Sequence, residues 1–172
     1  MGAGAGLEKA LATAYRHLNR RECTEAEMPA RLERAGVDAP DVEQAIATLV
    51  EQGYLNDARF ARLFAQDKRE LEQWGAERIR QALLRRGVPA ELVEHALSRQ
   101  PGESEGGSEG DSDTTIDSER ERAMSVLRRR FPSPVGDRRE RERALGVLLR
   151  KGYDCDLALD AIAAHSRDRD AF

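Results

Sequence analysis

One unit is written three times in this chain, and that repetition constrains the fold more than any other feature. Aligned on Gly36, Gly87 and Gly152, the segments read LERAGVDAPDVEQAI, LLRRGVPAELVEHAL and LLRKGYDCDLALDAI. Leucine stands four positions before each glycine, at Leu32, Leu83 and Leu148, and an apolar residue follows it, at Val37, Val88 and Tyr153. Alanine recurs nine positions on, at Ala45, Ala96 and Ala161, and a large aliphatic residue ten on, at Ile46, Leu97 and Ile162. A glycine just past an apolar-periodic helix is the favoured left-handed cap, because it has no β-carbon to oppose positive φ. Each glycine therefore ends one helix, and Asp38, Pro89 and Asp154 stand where the next begins.

A further amphipathic stretch lies upstream of each pair, at 7–18, 57–71 and 118–130, which makes three helices per unit. Thr24 with Glu27 three residues later reads as a capping box, and residues 132–136 break the chain before a helix opening at Asp137. Alanine, leucine, glutamate and arginine dominate, and no run of β-branched residues marks a strand. With 40% hydrophobic but only 5% aromatic residues, the chain can fill thin helical layers more readily than one thick core. The expected fold is all-α: three tandem three-helix units in an elongated, curved array, with boundaries at 1–53, 54–100 and 119–172. Between the second and third units, residues 101–118 carry six acids, no base, and Ile116 as the one large apolar residue. Such a segment cannot bury enough surface to fold and is expected to be a flexible acidic linker.

Formal net charge is −4, yet residues 119–151 carry eleven Arg or Lys against five acids. Basic residues recur immediately before the glycines, at Arg34, at Arg85 and Arg86, and at Arg150 and Lys151. Two readings apply to them: cations in a helix's last turn complement the macrodipole, and in a stacked array they also form a row that can meet a partner. The run Arg128, Arg129, Arg130 exceeds what capping requires, because adjacent residues point in different directions around a helix, and Arg78 is grouped with these contacts. The alternating signs of 138–143 read instead as a solvated salt-bridge face.

Cys23 and Cys155 show no CxxC spacing, and phosphate-loop, HExxH and GxSxG motifs are absent, so no metal, cofactor or enzymatic activity is expected. No stretch approaches the length of a membrane span, and a cytoplasmic location is expected.

GYLNDARFA at 53–61, WGAERIRQALLRRGV at 74–88 and LLRKGY at 148–153 together resemble, in order, the signature blocks of the RecX family of RecA regulators. The resemblance runs from about Leu7 to Ala164, departing at Thr24, where serine is more usual, and in the long acidic linker. It implies a protein, monomeric in our reading, that lies in the groove of the RecA nucleoprotein filament. There it would inhibit recombinase, ATPase and coprotease activities, and so modulate DNA repair and the SOS response. Single- or double-stranded DNA is a further candidate partner, and the competing reading is a stand-alone helical DNA-binding protein. Within the signature, Gly53 reads as a helix terminator, Tyr54 and Leu55 as plugs sealing the joint between the first two units, Asn56 and Asp57 as the start of the next helix, and Phe60 as core.

Overall fold

The computed structural model describes residues 3–98, 112–133 and 135–167. Among them are nine α-helices and no strand: α1 (Ala3–Leu18), α2 (Met28–Arg34), α3 (Ala39–Glu51), α4 (Asp57–Glu70), α5 (Ala76–Arg85), α6 (Ala90–Ser98), α7 (Ser112–Arg130), α8 (Arg138–Lys151) and α9 (Cys155–Arg167). The positions shared by the three repeats are the core positions. Leu32, Leu83 and Leu148 are fully buried, as are Ala45 and Ala161, and Val37, Val88 and Tyr153 are buried beside them.

Local chemistry sets the helix ends. Gly36, Gly53, Gly87 and Gly152 all take positive φ. At α8 the Gly152 amide donates to Leu149 O at 2.9 Å and the Tyr153 amide to Leu148 O at 3.2 Å, which satisfies carbonyls that the helix leaves open. The Thr24–Glu27 box forms as the spacing predicts: the Glu27 amide donates to Thr24 Oγ1 at 3.2 Å and the Thr24 amide to Glu27 Oε2 at 3.3 Å. A second box opens α8, with the Glu140 amide on Asp137 Oδ1 at 2.7 Å and the Gly136 amide on Glu140 Oε2 at 3.1 Å.

α7 starts at Ser112, six residues ahead of the expected Ser118, so 112–118 is helical. No glycine or proline falls between 111 and 130, and once 118–130 has nucleated nothing stops the helix propagating backward. The remainder of the acidic linker, 101–111, lies outside the described residues.

The chain divides into two compact units, Met1–Leu63 with Leu83–Val93, and Phe64–Ala82 with Glu94–Phe172. The division passes through α4, α5 and α6, so the helices of the middle repeat contribute to both. In the first unit, Ala10, Ala14, Met28, Leu32, Val42, Ala45, Leu49 and Leu55 form a core cluster on which Leu7, Leu11, Tyr15 and Ile46 pack. In the second, Ala123, Val126, Leu127, Val135, Ala144, Leu148, Tyr153, Ala158, Ala161 and Ile162 do the same.

Candidate functional site

Each compact unit contains one joint of the same kind, in which the start of one repeat's second helix meets the glycine that ends the next repeat's second helix. In the first unit the start of α2 meets the end of α5. Thr24 Oγ1 donates to Arg86 O at 2.7 Å, and a β-carbon on Gly87 would lie 2.3 Å from that of Ala26, so only glycine allows the approach. The Arg86 guanidinium grips both Glu27 oxygens at 2.8 Å and lies 4.4 Å from the Phe60 ring centre. This bidentate bond holds the Glu27 carboxyl below its usual range. Asp57, buried, accepts from the Glu25 amide at 2.9 Å, and burial pushes its own carboxyl up. At this joint cation and anion pair, both half-buried.

In the second unit the start of α5 meets the end of α8. The Gly75 amide donates to Lys151 O at 2.9 Å and the Glu77 amide to Gly152 O at 3.1 Å, so free donors of one helix satisfy free acceptors of another. A β-carbon on Gly152 would fall 2.5 Å from the Arg78 backbone nitrogen. Aligned on the repeat glycines, Arg78 occupies the place of Glu27 and Lys151 that of Arg86. Where the first joint pairs opposite charges, the second sets like charges together. Arg78 lies 3.9 Å from the Trp74 ring centre and donates to Arg150 O at 3.1 Å, while Lys151 Nζ donates to Glu72 O at 2.6 Å.

These cations line a cleft of about 400 Å³. Its walls are Arg78 from α5, Val126, Arg129 and Arg130 from α7, and Val147, Arg150 and Lys151 from α8: five cations, two valines and no acid. An adjoining cleft of about 900 Å³ shares Arg130, Val147 and Arg150 and adds Phe131, Arg139, Glu142, Arg143 and Gly146. Partial burial, and then the nearby Arg129 and Arg78, hold the Lys151 ammonium below its usual range. Such a site favours an anion that relieves the repulsion, whether phosphate or carboxylate.

Residues 10–49 match the first three-helix domain of RecX, and residues 56–97 the second. The regulatory protein RecX of Deinococcus radiodurans is 36% identical over 156 residues, covering 90% of this chain and 67% of that protein. That of Trichlorobacter lovleyi is 33% identical over 147 residues, covering 84% and 87%. The chain belongs to the RecX family. The crystal structure of RecX from Lactobacillus salivarius shares the fold, with a TM-score of 0.76 over 95% of this chain and 97% of that one at 18% identity. RecX relatives carry the name of a regulatory protein, so this chain is a member of a regulatory family.

In RecX terms the Glu27–Arg86 joint ties a residue of the first matched domain to one of the second, whereas the cleft joins Arg78 of the second to helices beyond residue 97. The structure brings together Arg78, Arg129, Arg130, Arg150 and Lys151 from the sequence-predicted contacts. Arg34 and Arg85 are exposed in the first unit, and Arg128 is exposed on α7. Arg86 is half-buried and bound within its own unit. It was expected to be as exposed as Arg85, and its partner Glu27 lies 59 residues away in sequence. Arg139 and Arg143 were read as part of a solvated face, yet they line the second cleft with Arg150. Their spacing of four and then seven residues, which keeps all three on one side of a helix, is the signal that could have found them.

Leu55 is buried as a plug, but Tyr54 is 52% exposed and stands edge-on to Tyr15 at 5.0 Å, because its neighbour Leu55 takes the place in the core. Asn56, not Asp57, caps α4, accepting from the Arg59 amide at 2.8 Å. That leaves Asp57 for the amide of Glu25. Among the described residues no group of His, Cys, Asp and Glu is arranged to hold a metal, and no helix is long and apolar enough to cross a membrane.

Proposed function

We propose that this chain is a negative regulator of RecA that seats its cationic cleft against the RecA nucleoprotein filament and thereby restrains recombinase, ATPase and coprotease activities. The observation that carries this reading is the convergence of Arg78, Arg129, Arg130, Arg150 and Lys151 from three helices with no acid among them. A helix-capping role would explain Arg129 and Arg130 at the end of α7 and Arg150 and Lys151 at the end of α8, but not Arg78, a cation in the first turn of α5, nor the meeting of all five in one place. The protein acts by binding, without catalysis and without a cofactor. It works as a monomer in the cytoplasm, built from repeats bounded at 1–53, 54–100 and 119–172. Exposed Arg34, Arg85 and Arg128 add attachments elsewhere, each weak alone and stronger when several engage one polymer.

The second reading, a stand-alone DNA-binding protein, draws on the adjoining cleft, where Arg130, Arg139, Arg143 and Arg150 surround Phe131 in a space suited to a phosphate backbone. Fluorescence anisotropy on labelled single-stranded DNA, bare and coated with RecA, separates the two. The filament reading expects tight binding only to the coated strand, lost on joint Arg129→Glu and Arg130→Glu substitution. Equal binding to bare DNA, with log affinity falling by roughly 0.7 to 0.9 per phosphate contacted for each unit of log salt, would favour the second reading.

A further inference from the structure

α8 presents three faces. Ala144 and Leu148 face the core, and Arg139, Arg143 and Arg150 face the clefts. The third face, with Arg138, Arg141 and Leu145, borders another groove of about 610 Å³ against α9, and Glu142 stands between that groove and the larger cleft. Leu145, Leu159, Ile162 and Ala163 give the groove an apolar floor, and Arg138, Arg141 and Arg167 stand at its rim. Leu159 is 49% exposed there, and the rim's one acid, Glu142, is held by Arg138 at 2.9 Å.

The middle repeat shows what this position needs for folding alone. Aligned on Gly87 and Gly152, Leu145 and Leu159 fall where Arg80 and Glu94 stand, and Glu142 falls where Glu77 stands. In the middle repeat an ion pair bridges the second and third helices, Arg80 Nε to Glu94 at 2.7 Å, and Glu77 on the same helix holds Arg80 Nη1 at 2.7 Å. The third repeat replaces that polar bridge with two leucines and leaves one of them half in water. Folding does not require the exchange, since the sister repeat does without it, and a soluble surface is the worse for it.

We infer that the α8–α9 groove is a docking site for an amphipathic, acidic helix of a protein partner. Leucine-type side chains spaced three and four residues apart would lie on Leu145, Leu159 and Ile162, and flanking carboxylates would meet Arg138, Arg141 and Arg167. This is helix-in-groove recognition with complementary charge at its edges. The surface is distinct from the cationic cleft, and the inference stands whether or not the cleft binds RecA.

The test uses the full chain labelled with nitrogen-15 and four probes. They are a synthetic helical peptide with a leucine ridge flanked by glutamates, the same peptide with lysines for the glutamates, a scrambled version of the acidic peptide, and vesicles of anionic phospholipid. The acidic ridge peptide should shift the amides of Leu145, Leu159, Ile162 and Ala163, and should bind at least about tenfold more tightly than the lysine version. Leu159→Glu should remove that binding while leaving the circular-dichroism spectrum unchanged. If that variant loses helicity, Arg141→Glu at the exposed rim gives the same reading. Absence of peptide binding, equal binding of the scrambled peptide, shifts confined to other helices, or adsorption to vesicles in place of peptide would each overturn the inference.

Discussion

The two joints share one backbone plan and differ in charge. At the first, Glu27 sits opposite Arg86 and the two form an ion pair. At the second, Arg78 sits where Glu27 would be and Lys151 where Arg86 would be, and a cleft remains with five cations on its walls. One position of the repeat is an acid in the first joint and a base in the second, and an ion pair there gives way to a cluster of cations. The comparison also separates arginines that look alike in sequence: Arg86 is tied to Glu27 within the fold, whereas Arg129 and Arg130 are exposed and should cost little to change.

Substitution at the glycines breaks the comparison most severely. Gly87→Ala and Gly152→Ala should each cost about 2–5 kcal/mol, combining the left-handed backbone penalty with overpacking, as read by urea denaturation. They should differ in rescue. Ala26→Gly removes the methyl that faces Gly87 and restores part of the loss, whereas the neighbours of Gly152 include the Arg78 backbone, which no substitution can remove.

Arg86→Ala should cost about 1–2 kcal/mol, the worth of a charge-assisted pair reduced by its partial exposure. The loss should depend on pH. Glu27 has its folded-state pKa lowered, so its contribution is complete above the unfolded value and disappears as pH falls through the folded one. The gap between wild type and Arg86→Ala should therefore narrow in acid, which thermal melts across acidic and neutral buffers would reveal. A constant gap would remove Glu27 from the account.

Arg78→Glu should convert the second joint into a copy of the first. Stability should change by less than about 1 kcal/mol, since the new carboxylate gains Lys151 as the stacking on Trp74 is lost. Affinity for polyanions should fall several-fold. The smallest expected effect concerns Lys151 itself. Its ammonium pKa is lowered in the cleft, so an anion that favours the charged form should raise it, with uptake of a proton on binding in the alkaline range. Anion affinity should accordingly weaken as pH rises through that pKa, as an NMR titration of Lys151 Nζ with inorganic phosphate would show.

Much of this was legible in the sequence because it rests on short-range rules. The leucine, glycine and alanine positions of the repeat mark the buried faces and helix ends, and the Thr24–Glu27 spacing marks a helix start whose reciprocal bonds form. What was not legible depends on residues far apart along the chain. Glu27 could be read as a cap but not as the partner of Arg86, and nothing adjacent to Arg85 and Arg86 tells which of the two turns inward. The cleft was visible only as separate basic runs, because Arg78 reaches it from a helix more than fifty residues before Arg129. Alternating charges along 138–143 concealed a one-sided stripe that helical geometry resolves.

On the proposed function the cationic joint, and not the ion-paired one, meets the RecA filament. RecA-catalysed ATP hydrolysis on single-stranded DNA, measured with wild type, with Arg78→Glu and with Arg129→Glu plus Arg130→Glu, tests it most directly. Inhibition by wild type that both cleft variants lose, at unchanged melting temperature, is the predicted result. Inhibition that survives intact in both would contradict it.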